Sequence, residues 1–147
     1  MATDIWGHIE YRPKGKKFFV HLKDINCDEW WSYPSRDYEM FQAMSGARWM
    51  IDDIKQLFET RGLPDDLSRE TWRKYKDGEP DFHTASWLDT DELKQCIDHV
   101  RDIDINKLKY DPENVEKCLK FYMEIYNCMK SSDDDGDYTR LVFWFDN

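Results

Sequence analysis

DIWGHIEYRPKGKKFFVHLK, residues 4 to 23, reads as two strands, Asp4 to Arg12 and Lys17 to Lys23, joined by the turn Pro13-Lys14-Gly15-Lys16. Alternation sorts their faces. Ile5, Gly7, Ile9 and Tyr11 share one side with Phe18, Val20 and Leu22 if Arg12 pairs with Lys17. The other side then carries Trp6, His8 and Glu10 against Phe19 and His21, with His8 directly opposite His21. These two histidines with Glu10 would supply three metal ligands, but no fourth follows, and cross-strand polar pairs are ordinary on the open face of a small sheet. No metal and no cofactor is expected.

The chain's other end offers a matching strand. Tyr138 to Asp146, YTRLVFWFD, alternates Leu141, Phe143 and Phe145 with Arg140, Val142 and Trp144. Between the two ends the periodicity is helical. Ser35 can cap a short helix, Arg36 to Met44, that stops at Gly46, and Asp52 or Asp53 can cap another through Phe58. Ser68 can cap Arg69 to Tyr75. Asp89-Thr90-Asp91-Glu92 starts a helix with Leu93, Cys96, Ile97 and Val100 at i, i+3, i+4 and i+7. Asp111-Pro112 opens the longest one, with a stripe of Val115, Cys118, Leu119, Tyr122, Ile125 or Tyr126, and Met129, running to about Ser131. The run DDDGD at 133 to 137 then reads as a solvated turn. It is not a calcium loop, because Ser131 and Val142 fall where an aspartate and a glutamate are needed. A hairpin, then helices, then a strand predict one α+β domain over 1–147, a small antiparallel sheet covered by helices on one face. The final strand should pair with the hairpin, since neither is stable alone.

Composition sets limits on function. Seven Trp, eight Tyr and eight Phe beside 35% charged residues describe a folded domain with a charged surface. The formal charge of −10 is uneven: residues 1 to 88 hold 13 basic and 16 acidic groups, residues 89 to 147 hold 8 and 15. Nonspecific binding to nucleic acid or to an anionic membrane is disfavoured. Cys27, Cys96, Cys118 and Cys128 lack CxxC spacing, with Cys96 and Cys118 placed on apolar helix faces, so reduced thiols in a cytoplasm are expected. The start MATDIWGHIEYR has no apolar run, and no stretch approaches the ~20 apolar residues of a membrane span.

Site-type residues concentrate in RGLPDDLSRETWRKYKDGEPDFHTASWL, residues 61 to 88. Gly62 suits positive φ, Pro64 stiffens the next step, and His83 to Trp87 is extended or irregular. Arg48 and Arg61 can present planar forks to phosphate or carboxylate, and Arg36 stands at another element end. Tyr38, Trp49 and Trp87 can stack on a base, and Asp65, Ser68 and Ser86 can read hydroxyls or ring nitrogens. His83 stands beside them. The candidate ligand-binding set is therefore Tyr38, Arg48, Arg61, Asp65, Ser68, His83, Ser86 and Trp87. Each arginine also has a structural alternative, pairing with Asp65, Asp66 or Asp37. Trp30, Trp31 and Tyr33 in NCDEWWSYP, residues 26 to 34, offer either a stacking platform or a cap on the core. Catalytic templates fail: there is no HExxH, GxSxG, P-loop or glycine-rich dinucleotide turn, and a Ser68, His83, Asp81 trio is one that any chain this long supplies.

Four blocks in order, DIWGHIEYR at 4 to 12, RDYEMFQAMSGAR at 36 to 48, RGLPDDLS at 61 to 68 and HTASWLDTDEL at 83 to 93, resemble an uncharacterised family of small phage and bacterial proteins with DIHG-, RNY-, RGLP- and HSxSWL-type blocks. The resemblance covers roughly the first two thirds of the chain. It departs at Trp6, where a histidine is common, and at Asp37, where an asparagine is common. It implies a phage or mobile-element context, hence a host cytoplasm, and no established activity. The expectation is an accessory, anti-defence protein that sequesters a small anionic or nucleotide-like ligand without catalysis. The alternatives are an acidic inhibitor or nucleic-acid mimic docking on a basic host protein, and an unrecognised hydrolase. Exposed aromatics would permit a homo-oligomer, although nothing sets a symmetry.

Overall fold

The computed structural model describes residues 2–26, 36–78 and 81–146. The aromatic platform of Trp30, Trp31 and Tyr33, the Ser35 cap and Cys27 lie outside them. Strands β1 (Asp4–Pro13), β2 (Val20–Asp24), β3 (His83–Asp89) and β4 (Gly136–Asp146) form one antiparallel sheet in the order β2-β1-β4-β3. The helices are α1 (Tyr38–Ser45), α2 (Arg69–Gly78), α3 (Thr90–Asp102) and α4 (Pro112–Asp135), with a π-helical turn (Ile103–Lys107) continuing α3. The architecture is α+β, and the C-terminal strand pairs with the N-terminal hairpin, Ile5 opposite Phe145 and Ile9 opposite Leu141.

One face of the sheet is the core. Ile5, Ile9, Leu141, Phe143 and Phe145 bury against Met40 and Phe41 of α1, Leu93, Ile97 and Val100 of α3, and Leu119, Tyr122 and Ile125 of α4. At roughly 1.5–3 kcal/mol for each large side chain, this burial is the main force holding helices to sheet. Local signals fix the ends. Asp89 and Glu92 form a reciprocal capping box at the start of α3, and Gly46 ends α1 at φ 70°.

Several details depart from the sequence reading. The sheet is covered on both faces: α2 crosses to the side opposite the core, where Thr71 meets His8 and Tyr75 stands edge-on to Trp144 at 5.3 Å. Trp144 is fully buried as a result. β2 starts at Val20 and pairs Tyr11 with Val20 and Glu10 with His21, and a bulge then sets His8 opposite Asp24. His8 and His21 are thus diagonal neighbours, edge-on at 4.5 Å. Glu10 is committed elsewhere, and among the described residues no group of three or more His, Cys, Asp or Glu is arranged to hold a metal. Residues 83 to 89, read as extended or irregular as far as Trp87, take the extended alternative and form the edge strand β3, interrupted by Thr84 at φ 54°.

No helix forms between Asp52 and Phe58. The buried side chain of Gln42 accepts from Met50 N at 2.9 Å and Ile51 N at 3.1 Å and donates to Ile51 O, while Lys55 N donates to His99 Nε2, so these groups bond across the fold instead of along a helix. α1 begins behind Asp37, whose Oδ1 accepts from Met40 N. α4 continues through the acidic run to Asp135 and passes directly into β4. Phe121 of α4 is buried whereas Cys118 is exposed, so Cys118 does not share the core with Cys96. Cys96, Cys118 and Cys128 form no disulfide among the described residues, and burial pushes the Cys96 thiol up to about 12. Among the described residues no helix is long and apolar enough to cross a membrane.

Candidate functional site

The face of the sheet opposite the core ends in an open cleft of about 720 Å³, bounded by Arg12, Phe19, the segment 61–66, Trp87, Tyr138 and Arg140. Its foundation is an ion pair that crosses two strands. Glu10, with no exposed surface, receives Arg140 Nε at 2.9 Å and Nη2 at 2.8 Å on Oε1, while its Oε2 accepts from Ser68 N at 2.8 Å. Arg140 also reaches Asp66, Nη1 to Oδ1 at 2.8 Å and Nη2 to the carbonyl at 3.2 Å, and lies 3.5 Å over the Phe19 ring. Buried charges persist only when paired and hydrogen-bonded in this way, so the pair fixes the loop 63–68 to the sheet.

Arg61 closes the cleft from the side. Its guanidinium donates to both carboxylate oxygens of Glu92 and to Trp87 O at 3.0 Å, and it stacks 4.3 Å over the Trp87 ring. The two partners hold each other charged: the hydrogen bond to Glu92 raises the arginine, and the same bond lowers the glutamate carboxyl. The backbone beneath is fastened by Arg61 N to Ser86 Oγ at 3.0 Å and Gly62 N to Ala85 O at 2.9 Å, with Gly62 at φ 76°. Arg61→Ala is therefore expected to cost about 1–2 kcal/mol in chemical denaturation, through the lost charge-assisted bonds. A cost near zero would show that Glu92 does not depend on it.

Of the eight residues singled out from sequence, Arg61, Asp65 and Trp87 line this cleft. Ser68 and Ser86 are buried braces below it, Ser68 Oγ bonding the N–H and hydroxyl of Thr71 at the start of α2. His83 is at the other end of β3, opposite Phe145, with Nδ1 2.8 Å from Thr84 Oγ1. Tyr38 and Arg48 lie elsewhere. The Arg48 guanidinium sits 4.7 Å over the Tyr38 ring and donates to Thr3 Oγ1. The arginine partners also differ from the expected ones: Arg61 takes Glu92, Arg36 takes Asp4, and Asp66 takes Arg140. Sequence reasoning missed Arg12, Phe19, Tyr138 and Arg140. The alternation of β1 and β4 had already placed Arg140 on the face of Glu10, and that shared face was the available signal.

Tyr38 borders a second, more enclosed cavity of about 530 Å³ on the helical side. It lies between the start of α1, the segment around Met50 and Ile51, the π-helical turn and the first turns of α4. Asp37, Glu39 and Asp104 line it. Loss of solvation pushes Glu39 up to about 8, helped by a hydrogen bond shared with Asp104, and pushes Asp37 up to about 6. Carboxyls perturbed in this way inside a cavity are a recognised mark of a working site.

No protein-family model matches the chain, and comparison with curated proteins and with solved structures returns no match.

Proposed function

We propose that the protein is a phage-type accessory protein that captures and sequesters a small nucleotide-like anion in the cleft between Trp87 and Tyr138, without transforming it. The observation that carries this reading is Arg12. It lines the cleft between the rings of Phe19 and Tyr138, 5.9 Å from each, and makes no ion pair among the described residues. A planar, always-charged fork beside aromatic faces suits a phosphate attached to a flat ring. Arg61 and Arg140 are already neutralised by Glu92, Glu10 and Asp66, so they shape the walls and leave Arg12 to meet the anion. Asp65, exposed at the rim, is placed to accept from a sugar hydroxyl or a ring N–H. A cleft of about 720 Å³ is of the size that takes a drug-sized ligand. Sequestration is favoured over turnover because Ser68 and His83, the nucleophile and base of the Ser68, His83, Asp81 trio, are bonded to Thr71 and Thr84 and lie at different places in the fold. The phage setting rests on the resemblance of the four sequence blocks.

Purified protein is heated, the released small molecules are identified by mass spectrometry, and nucleoside 5′-phosphates are titrated calorimetrically. Arg12→Ala is expected to lower retention at least about tenfold while changing stability by no more than about 1 kcal/mol, since the half-buried Arg12 loses its contacts with the Phe19 and Tyr138 rings but no ion pair. Equal retention by Arg12→Ala, or release of a chemically altered nucleotide, would overturn the reading.

A further inference from the structure

The carboxyl cavity on the helical side is independent of the cleft and has the opposite electrostatic character. Asp104 is 6% exposed, lines the cavity, and among the described residues its Oδ1 has no hydrogen-bond donor. Its position comes from the π-helical turn, where Leu108 N reaches back to Ile103 O and Tyr110 N to Asp104 O at 2.8 Å. Such turns are often found at functional sites, and Lys109 follows at φ 59°, a conformation that a side-chain-bearing residue adopts at a cost.

The negative charge here is not compensated from within. Asp37, Glu39 and Asp104 form no ion pair with any cation among the described residues, and Arg36, on the rim, is bound to Asp4 at 2.7 Å. Asp111 adds a further carboxylate. The buried hydroxyl of Tyr122 is without a partner among the described residues, and its proton is held more tightly by burial and by the charge of Asp37. Cys118 borders the same cavity, and partial loss of solvation together with the charge of the three acids pushes its thiol up. The walls, by contrast, are apolar. Met50, Ile51, Tyr110 and Val115 surround the acids, and Gln42 fixes Met50 and Ile51 through their backbone N–H groups. Acids at the bottom of an apolar sleeve suit a cation carried on an aliphatic stem. A hydrated divalent ion would need converging ligands that the described residues lack.

We propose that this cavity is a binding site for a small alkylammonium ligand, with the ammonium held by Glu39 and Asp104 and the aliphatic stem against Met50, Ile51 and Val115. The ammonium supplies donors to the bare oxygen of Asp104 and replaces the proton that Glu39 shares with it. Binding near neutral pH therefore expels a proton.

Titration calorimetry with n-butylamine, 1,4-diaminobutane and 1-butanol, in buffers of different ionisation heat, tests this on the full chain. The expected result is binding of both amines but not of the alcohol, with proton release at pH 7 that disappears at pH 9.5. Asp104→Asn should weaken the amines at least about tenfold, and Glu39→Gln should abolish proton release. Glu39→Gln removes only an acid and is expected to fold, so it reads the site even if Asp104→Asn does not. Nα-acetyl-lysine methylamide divides the sources: binding as tight as the diamine points to a lysine side chain of a partner protein, and weaker binding points to a free amine. Equal affinity for 1-butanol, or amine binding without proton release at pH 7, would overturn the proposal.

Discussion

Arg140→Ala is expected to destabilise the protein by about 3–5 kcal/mol, the usual consequence of stranding one member of a buried ion pair. Glu10 is wholly buried and would keep only the Ser68 N–H as a partner. Asp66 would lose its two bonds to the guanidinium, and Phe19 the cation stacked on its ring. Loss on this scale is a large share of the 5–15 kcal/mol that holds most domains folded. Urea denaturation at pH 7 measures it. The double variant Glu10→Leu/Arg140→Met should recover most of the loss, because two apolar groups of similar volume carry no desolvation cost. If the single variant costs less than about 1 kcal/mol, the pair does not hold the loop 63–68 to the sheet.

The opposite sign is expected for Glu39→Gln, which should make the protein more stable above neutral pH. Desolvation and the Asp104 bond raise the folded carboxyl to about 8, so between its unfolded value and that pH the folded chain holds a proton that the unfolded chain has released. The protonated form's contribution is complete below the unfolded value of about 4.3 and is lost as pH climbs toward 8. Glutamine has no charge to desolvate and can still donate to Asp104. Glu39 is only partly buried, so solvent reduces the gain to about 1–2 kcal/mol at pH 8.5. Asp37, raised to about 6, adds a slope of the same sign at lower pH and should persist in the variant. Melting curves from pH 5 to 9 decide the matter. Wild type should fall progressively away from the variant from about pH 5 to pH 8, and parallel curves would show that Glu39 titrates as an ordinary exposed acid.

How far the sequence disclosed this fold depended on whether its signals were local. β1 and β4 alternate cleanly, so their apolar faces were legible, as was the Asp89–Glu92 capping box. β3 was legible only as an extended or irregular segment, because Thr84 at positive φ breaks its pairing between His83 and Ser86. The hairpin register differs because β2 begins only at Val20, so that Tyr11 meets Val20 instead of Phe18, and the bulge between Ile9 and Glu10 adds one further residue. Residues 52 to 58 carry a helix-like pattern, yet Gln42 takes up neighbouring backbone groups, a tertiary bond that outweighs propensity. The cleft was half visible. Arg61, Asp65 and Trp87 stand in one conspicuous segment, whereas Arg12, Tyr138 and Arg140 come from strands distant in sequence. The carboxyl cavity was hidden, because Asp37 and Glu39 looked like ordinary acids at a helix start and Asp104 like the end of an ordinary helix.

β4 lies between β1 and β3, and its Arg140 meets Glu10 across 130 residues of chain. During synthesis, therefore, the first hairpin and the β3 segment have no partner strand until almost everything between them has left the ribosome. Closing so long a loop comes before its reward, which predicts slow folding with a late, abrupt gain of order. Until then the nascent chain has two unsatisfied strand edges and the apolar sides of three helices, the form most exposed to proteases and to aggregation. A chain halted before Gly136 would lack the strand that joins the two halves of the sheet. The cell would meet it as a substrate for quality control rather than as a shortened protein.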